Sequence, residues 1–321
     1  MEPHQLHWSH GTATVLTTAA MLADCRFDLP QGPFSPFARA PWFGQVDDPA
    51  IVGHLRVMGG DFVCLPFGIG RPTPGAPPEW ARLLPGPTPG PIHGPAADAD
   101  WQVVSAGPGA ITLALAYPET SPVLRVERTL AARPGAPALD CTLRIFARRA
   151  AAISVGLHPI LRLPETAGRL RLEADFAFGL VHPGYGGREF GRLDTLPGPD
   201  GQLDLSHVPL DPHRDLNAQL CGMRGPLRAI YLDERAGLEI DWDRALLPSV
   251  QIWHTDRGIG GPPWHHSYRG IGLEPVASAF DLDTSVSSAP NPINTRGVAT
   301  AIQLDPAAPL TIRHSFRAFA A

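Results

Sequence analysis

The chain has 321 residues, including 33 glycines and 37 prolines, and hydrophobic residues make up 44% of it. A formal net charge of −5 gives no general electrostatic attraction to nucleic acid or to an anionic membrane. All 26 basic residues are arginine, which excludes Schiff-base chemistry on lysine and a P-loop lysine. The hydrophobic fraction argues for a folded core, and the abundant turn formers argue for many short strands.

The four cysteines at positions 25, 64, 141 and 221 are widely separated and form no CxxC pair. They therefore indicate neither a zinc site nor a dense disulfide framework. The first ten residues lack the basic and apolar regions of a signal peptide, and no apolar stretch approaches the ~18 residues of a membrane span. We expect a cytoplasmic protein with reduced thiols and without a structural or catalytic metal.

Strand-like runs follow one another along the chain, each bounded by Gly, Pro, Asp or Asn. They are Ile51–Val57, Pro122–Leu130, Ala138–Phe146, Ile153–Leu163, Arg169–Val181, Leu227–Trp242, Ser249–Thr255, Ala299–Leu304 and Leu310–Phe319. Short helices are predicted only around Ala20–Arg26 and Pro78–Leu84. Because no amphipathic helices alternate with the strands, a parallel α/β sheet is not favoured. We predict one all-β domain over residues 1–321, built as a sandwich of large antiparallel sheets.

Residues 66–95 are the part of the chain richest in proline and glycine. This composition is compatible with an interdomain linker. However, strand-like runs flank the segment, and it contains Arg71, Trp80 and His93, which are residue types common in binding sites. We therefore interpret it as a long loop that forms one wall of a site.

Two polar residues lie inside otherwise apolar strand-like runs. His158 is followed by Pro159, which interrupts strand pairing and would expose the imidazole at a sheet edge or rim; the alternative is a core histidine. Glu274 lies in the sequence RGIGLEPVA, where apolar surroundings would raise the pKa of its carboxyl group toward neutrality. A general base and one half of a buried ion pair with an arginine are both compatible with this pattern.

Weaker candidates lie in turns. His93 is in PIHGP, Arg71 is in FGIGRP, and Asp215 precedes a short apolar run, where an aspartate is usually a cap or turn residue. Three histidines at positions 4, 7 and 10 have i, i+3 spacing but no further ligand cluster, so we interpret them as surface residues.

The order of these short motifs carries more information than any one of them. The series comprises the arginine turn at Arg71, I-H-G and W-x-V (Ile92–Gly94, Trp101–Val103), H-P (His158–Pro159), Asp215 before a strand pair, P-x-V-Q-I-W (Pro248–Trp253), L-E-P (Leu273–Pro275), and a closing L-D-P…T-I-R-H-S-F. In this order the chain resembles the aldose 1-epimerase (galactose mutarotase-like) family from about Gly59 to the C-terminus.

The resemblance implies a β-supersandwich fold and interconversion of sugar anomers without a cofactor. It implies that Glu274 is the base and His158 the acid. It also implies that His93 and Arg71 bind sugar or ring-oxygen positions and that Asp215 binds a sugar hydroxyl. The expected partner is a small sugar, with no nucleic acid or membrane, and the protein would be a monomer or homodimer.

Two alternatives to a mutarotase of free aldoses stay open. A related epimerase of a phosphorylated hexose would need several arginines around the phosphate, and arginine is abundant here. A non-catalytic sugar-binding protein would keep the pocket without turnover. Trp253, Trp264 or Trp101 would offer an apolar surface to the sugar, although a buried tryptophan is as often part of a core.

Overall fold

Antiparallel strands make up most of the regular structure in the computed structural model, which describes residues 3–70, 73–84, 91–210 and 214–321. The strands are β1 Pro3–Trp8, β2 Gly11–Leu16, β3 Leu22–Leu29, β4 Gly32–Phe34, β5 Val63–Cys64, β6 Gln102–Gly107, β7 Ala110–Ala116, β8 Val123–Ala132, β9 Ala138–Ala147, β10 Ala151–Ile153, β11 Val155–Leu157, β12 Ile160–Leu161, β13 Leu170–Glu173, β14 Phe178–Val181, β15 Glu189–Phe190, β16 Leu196–Gly198, β17 Gly201–Leu203, β18 His207–Val208, β19 Leu216–Cys221, β20 Leu227–Tyr231, β21 Ala236–Trp242, β22 Ser249–Asp256, β23 Arg269–Ala277, β24 Ile302–Leu304 and β25 Leu310–Ala320. The short helices are α1 Pro78–Ala81, α2 Gly94–Asp98 and α3 Thr284–Ser288, with single 3₁₀ turns at Gly53–Val57, Pro183–Tyr185, Leu193–Thr195 and Asn294–Arg296.

Two large sheets dominate the described part of the chain. One has nine strands in the order β18-β13-β20-β21-β25-β9-β8-β7-β6. The other has eight, in the order β15-β14-β19-β22-β23-β11-β5, with β12 also paired to β23. A four-stranded sheet, β1-β2-β3-β4, and two strand pairs complete the architecture. This confirms the predicted all-β sandwich of large antiparallel sheets with few short helices.

The eight-stranded sheet packs one face on the main core and turns the other face away from it. In β22 and β23, Val250, Ile252, Ile271 and Leu273 belong to the main hydrophobic cluster, which the nine-stranded sheet shares. Because side chains alternate between the faces of a strand, the intervening residues point to the opposite face. That opposite face carries the polar residues from which the candidate site is built.

The four-stranded sheet corrects one helix prediction. Residues 20–26 do not form a helix, because β3 covers most of them, pairs with β2 and alternates between buried and exposed side chains. The helix predicted at Pro78–Leu84 is present as α1. None of the helices in the described part of the chain has the length and apolar character of a membrane span.

A second correction concerns residues 51–57, which were predicted as a strand. They contain a 3₁₀ turn from Gly53 to Val57. Gly53 has a φ of +55° and lies so close to Asp98 that an added Cβ would be 2.4 Å from its Cα. A left-handed φ is incompatible with an extended strand, and the apolar residues here instead cover the loop around α2.

Candidate active site

A cavity of about 240 Å³ lies on the outer face of the eight-stranded sheet. Strands β19, β22 and β23 form its floor, and the loops around residues 54–58, 69, 92–93 and 259–264 form its walls. The lining residues are His54, Leu55, Met58, Ile69, Ile92, His93, His158, Asn217, Gln251, Trp253, Ile259, Pro262, Trp264, Glu274 and Asp281. Polar groups and aromatic rings therefore share one concave site, as in most small-molecule pockets.

His158 and Glu274 meet in this cavity because their strands are neighbours. β11 and β12 both pair with β23 in a single register, which places the intervening His158 opposite Glu274. Their Nε2 and Oε1 atoms are 3.4 Å apart. Pro159 interrupts the strand, but His158 does not lie at an exposed rim: its side chain is buried. The sequence motifs H-P and L-E-P are thus brought together by strand pairing.

A glycine provides the space for the carboxylate of Glu274. Gly272 lies two residues earlier on the same face of β23, and a Cβ added there would be 2.1 Å from Oε1 of Glu274. On the neighbouring strand β22, Gln251 is the direct partner of Glu274 and Trp253 is the partner of Gly272. The carboxylate therefore fills the space that Gly272 leaves on its own strand, and the amide of Gln251 flanks it on the neighbouring strand.

Glu274 is buried without the partners that usually accompany a buried carboxylate. Only 1% of the residue is exposed, and neither of its oxygens has a hydrogen-bond partner among the described residues. Burial, with a smaller contribution from the negative charge of Asp281, raises the pKa of Glu274 well above its usual value. The predicted alternative, a buried ion pair with an arginine, is not found among the described residues, where the titratable group nearest to Glu274 in an ion-pair geometry is His158, at 3.4 Å.

His158 is held by its backbone and by ring stacking. Its N–H donates to the carbonyl of Phe62 at 2.8 Å, and its ring stacks on the ring of Phe62 with centroids 4.4 Å apart. Burial, with a contribution from His54, lowers the pKa of His158 to about 3, and its Nδ1 has no hydrogen-bond partner. Burial therefore favours the neutral imidazole, just as it favours the neutral carboxyl group of Glu274.

The loop of residues 66–95 contributes Ile69, Ile92 and His93 to the wall of the cavity. His93 has a left-handed φ of +59°, and its ring centroid lies 5.2 Å from that of His158. Arg71, the other residue predicted in this loop, lies outside the described residues. The segment thus borders the site, and the substrate-binding roles of His93 and Arg71 stay predictions.

Asp215 lies at a different place from the other predicted residues. Its Oδ1 accepts hydrogen bonds from Oγ1 of Thr255 at 3.1 Å and from the backbone N–H of Asp256 at 3.0 Å. It lines a separate depression of about 300 Å³ together with Tyr185 and Arg214. Since it is not among the residues that line the cavity of His158 and Glu274, its predicted contact with a sugar hydroxyl stays a prediction.

The sequence analysis missed four polar residues of the cavity: His54, Asn217, Gln251 and Asp281. Asn217 and Gln251 belong to the same polar face as Glu274, and Oδ1 of Asn217 and Oε1 of Gln251 have no hydrogen-bond partners. The available signal was a polar residue at every second position of the apolar strands β19 and β22. His54 and Asp281 lie in loops, where no periodic pattern marks them.

Two of the three tryptophans considered from the sequence line the cavity. Trp253 and Trp264 are partly buried, with ring centroids 5.8 Å apart at an angle of 84°. Trp101 is a core residue instead, 2% exposed, with its Nε1 donating to the carbonyl of Ala96 at 2.9 Å. In the described ranges, no group of three or more His, Cys, Asp or Glu side chains is arranged to hold a metal ion.

Comparison with known proteins places this geometry in a structural class. No protein-family model matches the sequence, and no curated protein sequence matches it. A protein from Escherichia coli K12 that is described as a candidate aldose 1-epimerase has a TM-score of 0.69 and 16% identity, covering 100% of this chain and 99% of its own. An aldose epimerase homologue from C. elegans has a TM-score of 0.68 and 16% identity, with 100% of both chains covered.

A galactose mutarotase-like protein from Lactobacillus casei is similar over the same extent, with a TM-score of 0.60, 13% identity, and coverage of 99% of this chain and 100% of its own. At such identities the likeness concerns the arrangement of strands and not the chemistry of individual residues. It confirms the resemblance predicted from the order of the motifs at the level of the fold, and extends it over the N-terminal strands. The chain therefore has the galactose mutarotase-like fold.

Proposed function

We propose that this protein is an aldose 1-epimerase (mutarotase) that interconverts the α and β anomers of a free aldose. The observation that carries the proposal is the pair His158 and Glu274, buried 3.4 Å apart in one cavity. Among the described residues, the carboxylate of Glu274 and Nδ1 of His158 lack hydrogen-bond partners. Buried polar groups are normally satisfied, so unsatisfied groups that face a cavity support a role in binding and chemistry.

Ring opening requires one proton to leave the substrate and one to enter it. Glu274, as the carboxylate, accepts the proton of the C1 hydroxyl, while His158, as the imidazolium, donates a proton to the ring oxygen. The bond between C1 and the ring oxygen breaks, and the C1–oxygen bond becomes the aldehyde double bond. Rotation about C1–C2 presents the other carbonyl face, and the same transfers in reverse close the ring.

The electrostatics of the pair favour the form that it has while the ring is open. Opening the ring converts an ionised Glu274 and a protonated His158 into a neutral carboxylic acid and a neutral imidazole. Burial raises the pKa of Glu274 and lowers that of His158, so it favours the neutral pair, both in the free site and while the sugar is open; a proton moves from Glu274 to His158 before the ring opens. The pair begins and ends the cycle with the same number of protons, and the chemistry that we propose needs no cofactor.

The lining of the cavity favours a free sugar over a phosphorylated one. The carboxylate of Asp281, whose pKa is held below its usual value, would repel a phosphate nearby, and no arginine is present among the described lining residues. The amides of Asn217 and Gln251 offer hydrogen-bond partners to hydroxyl groups instead. Trp253 provides an apolar surface for the C–H face of a sugar ring.

The test is to dissolve pure α-anomers of several aldoses and of the matching sugar 6-phosphates and to follow anomer exchange by polarimetry or NMR. We expect the protein to accelerate exchange of at least one free aldose and to act more slowly on its phosphate. Equal or faster exchange of the phosphate would favour a hexose-phosphate epimerase. Sugar binding without accelerated exchange would identify a binding protein.

A further inference from the structure

A second carboxylate, Asp281, lines the cavity and is held from behind by a histidine. Oδ1 of Asp281 lies 2.9 Å from Nε2 of His182. The backbone N–H of Gly184 donates to Nδ1 of the same ring at 3.0 Å, so the proton of a neutral His182 is on Nε2 and is donated to Asp281. His182 is not one of the cavity-lining residues, and its bond therefore acts on the carboxylate and not on a ligand.

The turn that carries Asp281 is fixed by buried hydrogen bonds. Nε2 of Gln219 donates to the carbonyl of Ser278 at 2.8 Å, and Oε1 of Gln219 accepts the N–H of Phe280 at 2.7 Å. Phe280 has a left-handed φ of +53°, which is unfavourable for an aromatic residue and persists only where the surroundings impose it. The carbonyl of Asp281 itself accepts the N–H of Ile69 at 2.8 Å. A rigid frame thus presents one carboxylate to the cavity.

The charge of Asp281 restricts what it can bind. Burial would raise its pKa, but the rings of His182 and His93 hold the pKa below its usual value, so the carboxylate is ionised at neutral pH. An ionised carboxylate is only an acceptor, and a ligand group that contacts it must be a donor without negative charge. On a sugar, that donor is a hydroxyl group.

We propose that Asp281 is a substrate-binding carboxylate that accepts a hydrogen bond from one sugar hydroxyl other than that at C1, and that His182 is its positioning residue. This inference rests on the proposed function, which supplies the aldose as the ligand. It adds that Asp281 selects a sugar with a neutral hydroxyl group at one ring position. Because Asp281 and Glu274 repel each other, Asp281 also affects the titration of the base.

The test compares the wild type, Asp281→Asn and the exposed control Asp24→Asn. Sugar binding is measured by calorimetry or NMR, and the rate of anomer exchange is measured on the same proteins. The probes are the best aldose of the panel and its deoxy analogues. A hydrogen bond to a charged group corresponds to about 10- to 100-fold in affinity, and we expect that loss for the parent sugar with Asp281→Asn. One deoxy analogue should bind equally to the wild type and to Asp281→Asn, whereas Asp24→Asn should match the wild type throughout.

His182 provides an independent test that does not change the carboxylate. In His182→Gln the amide keeps an N–H donor for Asp281, and we expect binding within about 3-fold of the wild type. His182→Phe removes the donor and should weaken binding about 10-fold. Loss of the negative charge in Asp281→Asn should also move the acidic limb of the pH–rate profile to lower pH, because the pKa of Glu274 falls; an unchanged limb would contradict the repulsion between Asp281 and Glu274.

Unchanged binding of every sugar to Asp281→Asn would overturn the inference and leave the mutarotase proposal standing. A wild type that binds an aldose without accelerating anomer exchange would overturn the mutarotase proposal, while the affinities of the variants would still decide the role of Asp281. A wild type that binds no aldose of the panel would overturn both.

Discussion

Glu274 and His158 carry polar atoms that are costly to bury. A carboxyl group without hydrogen bonds and a histidine whose Nδ1 is unpartnered are both unfavourable in a protein interior. Among the residues that the structure describes, the side chain of Glu274 makes no hydrogen bond that ties one strand or loop to another. Buried polar groups without hydrogen-bond partners tend to lie at functional sites, and other interactions in the fold offset the stability that they cost.

The lowered pKa of His158 predicts a pH dependence of stability. The pKa is about 3 in the folded protein against 6.5 for an ordinary histidine, so the unfolded state binds the extra proton first as pH falls. The stabilising contribution is complete above pH 6.5 and is lost progressively toward pH 3. We expect the wild type to lose about 2 kcal/mol more than His158→Asn in free energy of unfolding between pH 7 and pH 5.

Urea unfolding at several pH values measures this difference. Burial also lowers the pKa of His54, to about 4, but His54 is present in both proteins, so its contribution cancels in the comparison. Parallel pH profiles for the wild type and His158→Asn would mean that His158 is not desolvated in solution. The same variant should lose activity as well, because the proton donor to the ring oxygen is gone.

At the level of elements, the site is a consequence of alternation along three paired strands. Core residues alternate with cavity residues along β19, β22 and β23, so one face of the sheet packs on the sandwich core and the other face lines the pocket. The H-P and L-E-P motifs were recognisable from the sequence because each interrupts an apolar run. Their juxtaposition was not, because it depends on a strand register between segments more than a hundred residues apart.

The residues that the sequence did not reveal differ from Glu274 in their surroundings. Asn217 and Gln251 are ordinary polar residues in strands until pairing places Gln251 opposite Glu274 and Asn217 opposite Trp253. Asp281 lies beyond the end of β23, in a turn whose shape depends on Gln219 from a distant strand. Asp215 differs in the other direction: it has the expected place in the order of motifs, but it does not line the cavity. Its side chain is hydrogen-bonded at the end of β22 instead.

The space above Gly272 gives a prediction for strand β23. A methyl group there would collide with the carboxylate of Glu274 and with no other atom at comparable distance. We therefore expect Gly272→Ala to fold, since the end of a side chain can move, and to lose at least 10-fold in kcat, since a misplaced base transfers protons poorly. The control is Gly191→Ala, whose Cβ would meet nothing within 4 Å.

Anomer exchange and thermal melting of both glycine variants show whether Gly272 is needed for turnover or for folding. Normal turnover in Gly272→Ala would show that the position of the carboxylate is not critical. A low melting temperature together with normal turnover would assign Gly272 to folding alone.

For the whole molecule, a buried charge cluster joins the nine-stranded sheet to the segment just before β5. Arg128 of β8 donates to Oδ2 of Asp61, from which Nε2 of His314 in β25 lies 3.3 Å away. Asp61 directly precedes Phe62, on which His158 stacks. Burial opposes a charge on His314, but Cys141 and Asp61 raise its pKa to about 9. The cluster thus links the nine-stranded sheet to the segment whose Phe62 stacks on His158.

Removing the negative charge of this cluster should destabilise the protein strongly. Asp61→Asn leaves Arg128 buried without its counter-charge, and such losses are about 3–5 kcal/mol. Urea unfolding should show this loss, and the double variant Asp61→Asn with Arg128→Met should be less destabilised than the sum of the single changes. A loss below about 1 kcal/mol for Asp61→Asn would contradict the account of a dry, paired cluster.

The central claim is that Glu274 is a base and not a structural carboxylate, and one preparation of Glu274→Gln tests it. Glutamine keeps the size of the side chain and breaks no hydrogen bond within the described ranges of the chain, so we predict a melting temperature equal to or above that of the wild type. Anomer exchange should fall about 10²- to 10⁴-fold, as for other acid–base groups. A Glu274→Gln protein that melts early but exchanges anomers at the wild-type rate would contradict the account.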